Sequence, residues 1–326
     1  MAAVAASNGW QSEDAMIQFL KTVPSIRFMA LRRYWYVLSV AVVLTSIAIV
    51  FIRGLNLTVD FTGGVVFEIG FAEPVDLERV RATLNDAGFE DFQVRNFGSA
   101  SELEVRLPPA ESGAAIGQGD RLMASLRTLD ADAELRRTDT VGPQVSRQLG
   151  EQAALAVLMT LLLVLVYIAL RFRWRFGVGS LVATLHDPIV ATGAIALLGI
   201  PFDLNVVAAL LTILGYSVND TVVIFDRIRE RFRSMRKATP EEVINRAINE
   251  TLGRTIIVAG CALSSVLFLA VLGGETLRGF AVALAIGIVI GTYSSVYVAG
   301  AIALDLGASG RDFMPPEKRE VADELP

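Results

Sequence analysis

Six stretches of this chain are apolar over about the 17 to 25 residues that cross hydrocarbon as a helix: Tyr36–Ile52, Ala153–Leu170, Val178–Ile200, Leu204–Phe225, Thr255–Leu272 and Phe280–Leu304. That feature removes most folds from consideration, because lipid offers the backbone no hydrogen-bond partners and only helices and closed barrels satisfy their own. The whole chain agrees, with 53% hydrophobic and 19% charged residues and a mean hydropathy of +0.52, too apolar for a water-soluble chain of this length. The expected class is a polytopic α-helical membrane protein with six transmembrane helices. The first stretch follows Arg27, Arg32 and Arg33 and runs into Arg53-Gly54-Leu55-Asn56 without a small-residue cleavage site, so it reads as a retained signal anchor.

Orientation follows from the short flanks, where Lys and Arg collect on the cytoplasmic side. Arg171, Arg173 and Arg175 crowd the link between spans two and three; Arg227, Arg229, Arg231, Arg233, Arg236 and Lys237 follow span four. Both termini are therefore expected in the cytoplasm and the long segment after span one outside. The expected division is 1–35 cytoplasmic, 36–52 the first span, 54–152 extracytoplasmic, 153–304 a five-helix bundle, and 305–326 a disordered cytoplasmic tail. Within the bundle, Thr239-Pro240-Glu241-Glu242 is a helix start. It predicts a cytoplasmic interfacial helix at about 239–252, with Ile244, Ala247, Ile248 and Leu252 as its apolar face.

The external segment alternates legibly: a strand over Asn56–Phe71, a helix over Val75–Gly88, strands over Asp91–Phe97 and Glu102–Leu107, a helix over Asp120–Leu129, and a strand over Glu134–Val141. The order βαββαβ predicts an α+β ferredoxin-like domain, with Pro108–Gly119 as the loop between its halves.

Cys261 and His186 are the only residues of their kinds, which removes zinc sites, disulfide frameworks and Cys/His nucleophilic catalysis from consideration. No catalytic residue, metal or cofactor is expected. The net charge of −5 gives no ground for a nucleic-acid partner.

The polar residues inside the spans are the informative ones. In span four, Asn205, Thr212 and Asn219 recur every seven residues, with Tyr216, Ser217, Asp220 and Thr221 beside them; a polar stripe ending in a carboxylate is costly in lipid and marks a bundle interior or wet cavity. The alternative for the amides and hydroxyls is interhelical hydrogen bonding. Span three carries His186-Asp187-Pro188. Asp187 is a second intramembrane carboxylate, and Pro188 either frees a backbone carbonyl or only kinks the helix. Arg254 opens span five, where it either reaches toward Asp220 or anchors at the interface. In span six, Gly279, Ala283, Gly287, Gly291, Ser295, Ala299 and Ala303 recur at every fourth position, a row for close helix contact within this bundle or against a partner.

Three longer motifs resemble one known family. They are Asp60-Phe61-Thr62-Gly63-Gly64 after span one, Gly215-Tyr216-Ser217-Val218-Asn219-Asp220-Thr221-Val222-Val223-Ile224-Phe225-Asp226-Arg227 closing span four, and Asn249-Glu250-Thr251-Leu252-Gly253-Arg254-Thr255 opening span five. Together with the topology, they resemble the SecF family, the smaller membrane subunits of SecD/SecF protein-export complexes within the resistance-nodulation-division superfamily. The resemblance implies a multi-pass inner-membrane protein that uses the proton-motive force to aid preprotein translocation. It implies Asp220 and Arg254 as proton-coupling residues; Asp187 joins them as an expectation from its own place as a carboxylate inside span three. It also implies SecD as partner, with the SecYEG translocon, YajC, YidC, the preprotein and membrane lipid as further contacts. The competing expectations are a scaffold for membrane-protein assembly and a small-molecule efflux component of the same superfamily.

Overall fold

The computed structural model describes residues 24–109 and 114–309; the tail expected beyond residue 309 and most of the N-terminal segment lie outside them. Six helical stretches are long and apolar enough to cross a membrane: Phe28–Arg53, Pro143–Arg171, Trp174–Leu198, Leu204–Ser234, Pro240–Leu272 and Gly274–Asp305. In chain order, a short turn (Phe28–Leu31) leads into α1 (Arg32–Arg53), β1 (Asn56–Leu57) and the one-turn α2 (Val59–Thr62). The segment between α1 and the second span continues with β2 (Gly64–Gly70), α3 (Leu77–Asp86), β3 (Gln93–Phe97), β4 (Ser99–Leu107), α4 (Ala114–Leu126) and β5 (Glu134–Val141). The remaining elements are α5 (Pro143–Arg171), α6 (Trp174–Leu198), β6 (Pro201–Phe202), α7 (Leu204–Ser234), α8 (Pro240–Leu272), α9 (Gly274–Ser294), a π-helical turn (Ser295–Ala299) and α10 (Gly300–Asp305).

Four expectations change. The first strand does not run through Asn56–Phe71: Gly63 and Gly64 sit at φ of 71° and 126°, conformations open to glycine, and they break it into β1, α2 and β2. The helix expected at Asp120 starts at Ala114, inside the expected loop. α5 starts at Pro143, well before the apolar run, because proline at the first position begins a helix without regard to hydropathy. The interfacial helix and span five are one helix: Thr239 and Glu242 form a capping box and nothing afterwards interrupts the backbone ladder, since a single glycine such as Gly253 only weakens a helix. Its first turns do not lie on lipid. Val243, Ile244, Ala247 and Ile248 are buried against Phe28, Met29, Phe225 and Ile228.

The four longer strands form an antiparallel sheet in the order β3-β4-β2-β5. Period-two alternation sends Val65, Phe67, Ile69, Val94, Leu103, Val105 and Leu107 to one face, against Val80 and Leu84 of α3 and Leu122 and Leu126 of α4. The other face carries Glu68, Arg95, Glu104, Arg106, Arg137 and Asp139. It roofs a cleft of about 620 Å³ over the α6–α7 and α8–α9 connections.

In the bundle, α6, α7 and the final helix are about half buried, while α1, α5 and α8 expose most of their surface. α1 packs on α6 with Gly193 against Ser46. The small-residue row faces inward: Gly279 meets Val206, Gly287 meets Ile213 and Gly291 meets Ser217, all on α7. Ala283, Ser295, Ala299 and Ala303 are fully buried.

Candidate functional site: a polar layer inside the bundle

The apolar interior of the bundle is divided. One cluster holds Ala191, Ile195, Val206, Leu210, Ile213, Leu284 and Ile288; the other holds Phe176, Ala183, Ile224, Phe225, Ile228 and Val296. On α6, α7, α9 and the π-helical turn the layer between these clusters holds buried polar residues, among them Thr184, His186, Asp187, Ser217, Asp220, Thr221, Ser294 and Ser295.

Asp187 is fully buried. Its Oδ1 lies 2.9 Å from His186 Nδ1, and Ser294 Oγ donates to its Oδ2 over 2.8 Å. Gly291 lies beside this carboxylate, where a Cβ would stand 3.4 Å from Asp187 Oδ2. Pro188 one residue later has no N–H for the carbonyl of Thr184, so α6 is weakest at the depth of the carboxylate. Across the layer, Thr221 Oγ1 and Ser295 Oγ are 2.9 Å apart, and Ser295 Oγ donates to the Ser217 carbonyl over 3.4 Å. The final helix takes a π-helical turn from Ser295, a distortion frequent where helices carry function.

Asp220 is 4% exposed and its Oδ2 has no hydrogen-bond partner among the described residues. Arg254 is exposed and makes no ion pair with Asp220 within 4 Å among the described residues, but its charge reaches Asp220. The neighbouring acid, Asp226, instead pairs with Arg171 of α5. Ser180 Oγ, Thr184 Oγ1, His186 Nε2, Tyr216 OH and Ser217 Oγ are buried without hydrogen-bond partners among the described residues. Buried polar atoms are normally satisfied by protein or by ordered water, so this layer has the chemistry of a hydrated seam. Among the described residues, no group of three His, Cys, Asp or Glu side chains can hold a metal ion.

The polar stripe of span four is split between two environments. Ser217, Asp220 and Thr221 are buried; Tyr216 and Asn205 are half-buried; Thr212 and Asn219 face outward. Asp220 stands at the seam between these faces.

The roles of several contributors escape sequence reasoning, although Asn249 and Glu250 stand in the motif that opens span five. Ser294 is one of two adjacent serines, and nothing in the sequence marks it as the one that meets Asp187. Glu250 has a side chain only 6% exposed and accepts from Arg227 (2.7 Å), Arg231 (2.6 Å) and Arg246 (2.6 Å), locking the end of α7 to α8. Asn249 holds the N-terminal segment, accepting from Ile26 N (3.0 Å) and donating to Ile26 O (2.8 Å).

Comparison with known proteins supplies the context. Residues 121–309 match the family described as protein export membrane protein SecD/SecF, C-terminal, and residues 48–75 match the SecD/SecF GG motif. The protein translocase subunit SecF of Vibrio alginolyticus is 43% identical over 315 residues, 95% of this chain and 100% of that protein. The protein translocase subunit SecF of Haemophilus influenzae is 39% identical over 303 residues, 93% of each. The crystal structure of SecDF, a translocon-associated membrane protein from Thermus thermophilus, superposes with a TM-score of 0.80 at 38% identity. That match covers 88% of this chain and 39% of the longer SecDF chain.

Proposed function

We propose, because this chain belongs to the SecF family of protein translocase subunits, that it is an auxiliary subunit of the Sec translocase in the inner membrane and promotes preprotein translocation with the proton-motive force. The observation that carries the energetic part is the buried polar layer. Carboxylates inside a membrane bundle are expensive and are kept where ions or protons pass. Asp220, buried with one oxygen unpartnered, is the proton acceptor in this reading; Arg254 biases its charge state, and Asp187 is a second, hydrogen-bonded carboxylate. Ser180, Thr184, Tyr216, Ser217 and Thr221 supply the hydroxyls along which ordered water connects the layer.

SecD is the partner in this reading. Thr212, Asn219 and Arg254 are polar and face outward from the bundle, an arrangement lipid disfavours and a second bundle relieves. The solved SecDF chain, of which this chain spans 39%, supports the pairing, as does the pseudo-symmetry common in such transporters. SecYEG delivers the emerging preprotein.

Both termini lie in the cytoplasm, as the arginines at 171–175 and 227–236 suggest, and the segment 54–152 lies outside as a ferredoxin-like domain. The β3-β4-β2-β5 order with a helix in each crossover supports that assignment.

The test is preprotein translocation by SecYEG proteoliposomes containing SecD and this chain, with and without an imposed proton gradient. Gradient stimulation that requires the chain supports the proposal, and stimulation that is equal without it overturns it.

A further inference from the structure

The sequence Asp60-Phe61-Thr62-Gly63-Gly64 sits where the external domain, α5 and α7 meet, and each contact is specific. Asp60 Oδ2 accepts from the backbone N–H of Leu204 at 3.1 Å. The ring of Phe61 lies 5.9 Å from that of Phe202 and touches Gly150 of α5. A Cβ on Gly64 would collide with the Leu107 carbonyl and one on Gly63 would crowd Ser146 Oγ and the Val141 carbonyl, and both glycines hold a positive φ that side chains rarely adopt. Upstream, β1 pairs in parallel with β6, and Thr58 N donates to the Phe202 carbonyl at 3.1 Å.

Leu204 is the first residue of α7. The first N–H groups of a helix have no intrahelical acceptor, and carboxylates near them are further favoured by the helix dipole. Asp203, on the same chain segment, satisfies Val206 N over 2.8 Å. Asp60 comes from the far side of the domain junction to satisfy Leu204. The β1–β6 pair spans only two residues per strand and grips the loop, whereas Asp60 bonds α7 itself. α7 then runs unbroken through Asp220, about 24 Å further along at 1.5 Å per residue.

We infer that Asp60 is a positioning residue that fastens the first turn of α7 to the external domain, so that a displacement of α7 caused by protonation at Asp220 reaches the domain as rigid-body motion. This inference rests on the proton-coupling reading of Asp220. The role of Asp60 is that of a hydrogen-bond acceptor, so Asp60→Asn keeps it and Asp60→Ala removes it. The same bond can be deleted from the other side. Leu204→Pro removes the donor at a first helical position that tolerates proline, after an Asp203 whose backbone is already extended.

The experiment places spin labels at Asn85→Cys in the external domain and Ser234→Cys at the far end of α7, in a Cys261→Ser chain assembled with SecD in nanodiscs. The inter-label distance distribution is compared with and without Asp220→Asn, which imitates the protonated carboxyl. The expected result is a shift on Asp220→Asn that persists with Asp60→Asn and is lost with Asp60→Ala and with Leu204→Pro. An undiminished shift in the Asp60→Ala or Leu204→Pro chain overturns the inference and leaves the proton-coupling reading intact. Loss of the shift with Asp60→Asn also overturns it, by showing that the charge rather than the acceptor matters. No shift in the chain with Asp60 and Leu204 in place overturns the proton-coupling reading, and the inference with it.

Discussion

Gly287 of α9 faces Ile213 of α7 so closely that even a single added Cβ would overlap the isoleucine side chain. The contact lies in the fully apolar half of the bundle, where neither helix can retreat without opening the interior. Gly287→Ala is therefore expected to destabilise the protein by about 1–3 kcal/mol through overpacking. Gly260→Ala, on the exposed helix α8 with open space around it, should leave stability unchanged or slightly raised. Thermal unfolding of the two variants in detergent decides the point; equal midpoints would show that the contact carries no strain.

Replacing Asp220 by the nearly isosteric Asn removes the charge and keeps the shape. The transmembrane potential is worth about 2.3 kcal/mol per charge per 100 mV, and a neutral side chain cannot take it up. Asp220→Asn is expected to leave expression and SecD association intact and to abolish the gradient-dependent part of preprotein translocation. Arg254→Met should act similarly, and Asp187→Asn less, since Asp187 is already held by His186 and Ser294. Normal gradient stimulation with Asp220→Asn would leave Asp220 a packing residue.

In the α+β domain between α1 and α5, Glu104 is 4% exposed and accepts from Arg95 at 2.9 and 2.6 Å and from Arg106 at 2.6 Å. Burial alone would push its carboxyl upward, but the hydrogen bonds and charges of the two arginines outweigh it and hold the carboxyl below its ordinary value. A depressed folded value means that the pair's contribution is complete above the unfolded carboxylate range, near pH 4.3, and disappears as the pH falls through the folded value. Glu104→Gln is thus expected to cost about 1–3 kcal/mol at pH 7 and progressively less below pH 4. Urea unfolding of the full chain, read by a Phe92→Trp reporter in the domain, measures this. A gap between parent and variant that stays constant with pH would refute the assignment. Burial pushes the Glu68 carboxyl upward and the Glu104 charge adds to that, so parent and variant are compared in a Glu68→Gln background.

The orientation is testable by placing the two spin-label cysteines one at a time, Asn85→Cys or Ser234→Cys, in the Cys261→Ser chain. Asn85 and Ser234 are both exposed and lie at opposite ends of the molecule. A membrane-impermeant thiol reagent is expected to label Asn85→Cys from outside intact spheroplasts and to spare Ser234→Cys. Labelling at Ser234 alone would invert the topology and move the folded domain into the cytoplasm.

The sequence by itself determined the elements that depend on composition and local geometry. Six spans followed from apolar length, the strands β3 and β4 from the extended runs at Asp91–Phe97 and Glu102–Leu107, and the start of α8 from Thr239 and Pro240. Helix ends were less legible, because intrahelical hydrogen bonds continue through polar residues once a helix has begun; α5 and α8 both extend beyond their apolar runs for this reason. Only the tertiary structure decided how the polar residues of span four divide. The seven-residue repeat puts Asn205, Thr212 and Asn219 on one stripe, but whether a stripe faces lipid, a partner or the interior depends on which helices lie against it. Here α9 covers Ser217 and Thr221 through its small-residue row, and Thr212 and Asn219 stay outside. Likewise Asp60 and Leu204 stand far apart in the chain, and no local pattern records that folding joins them.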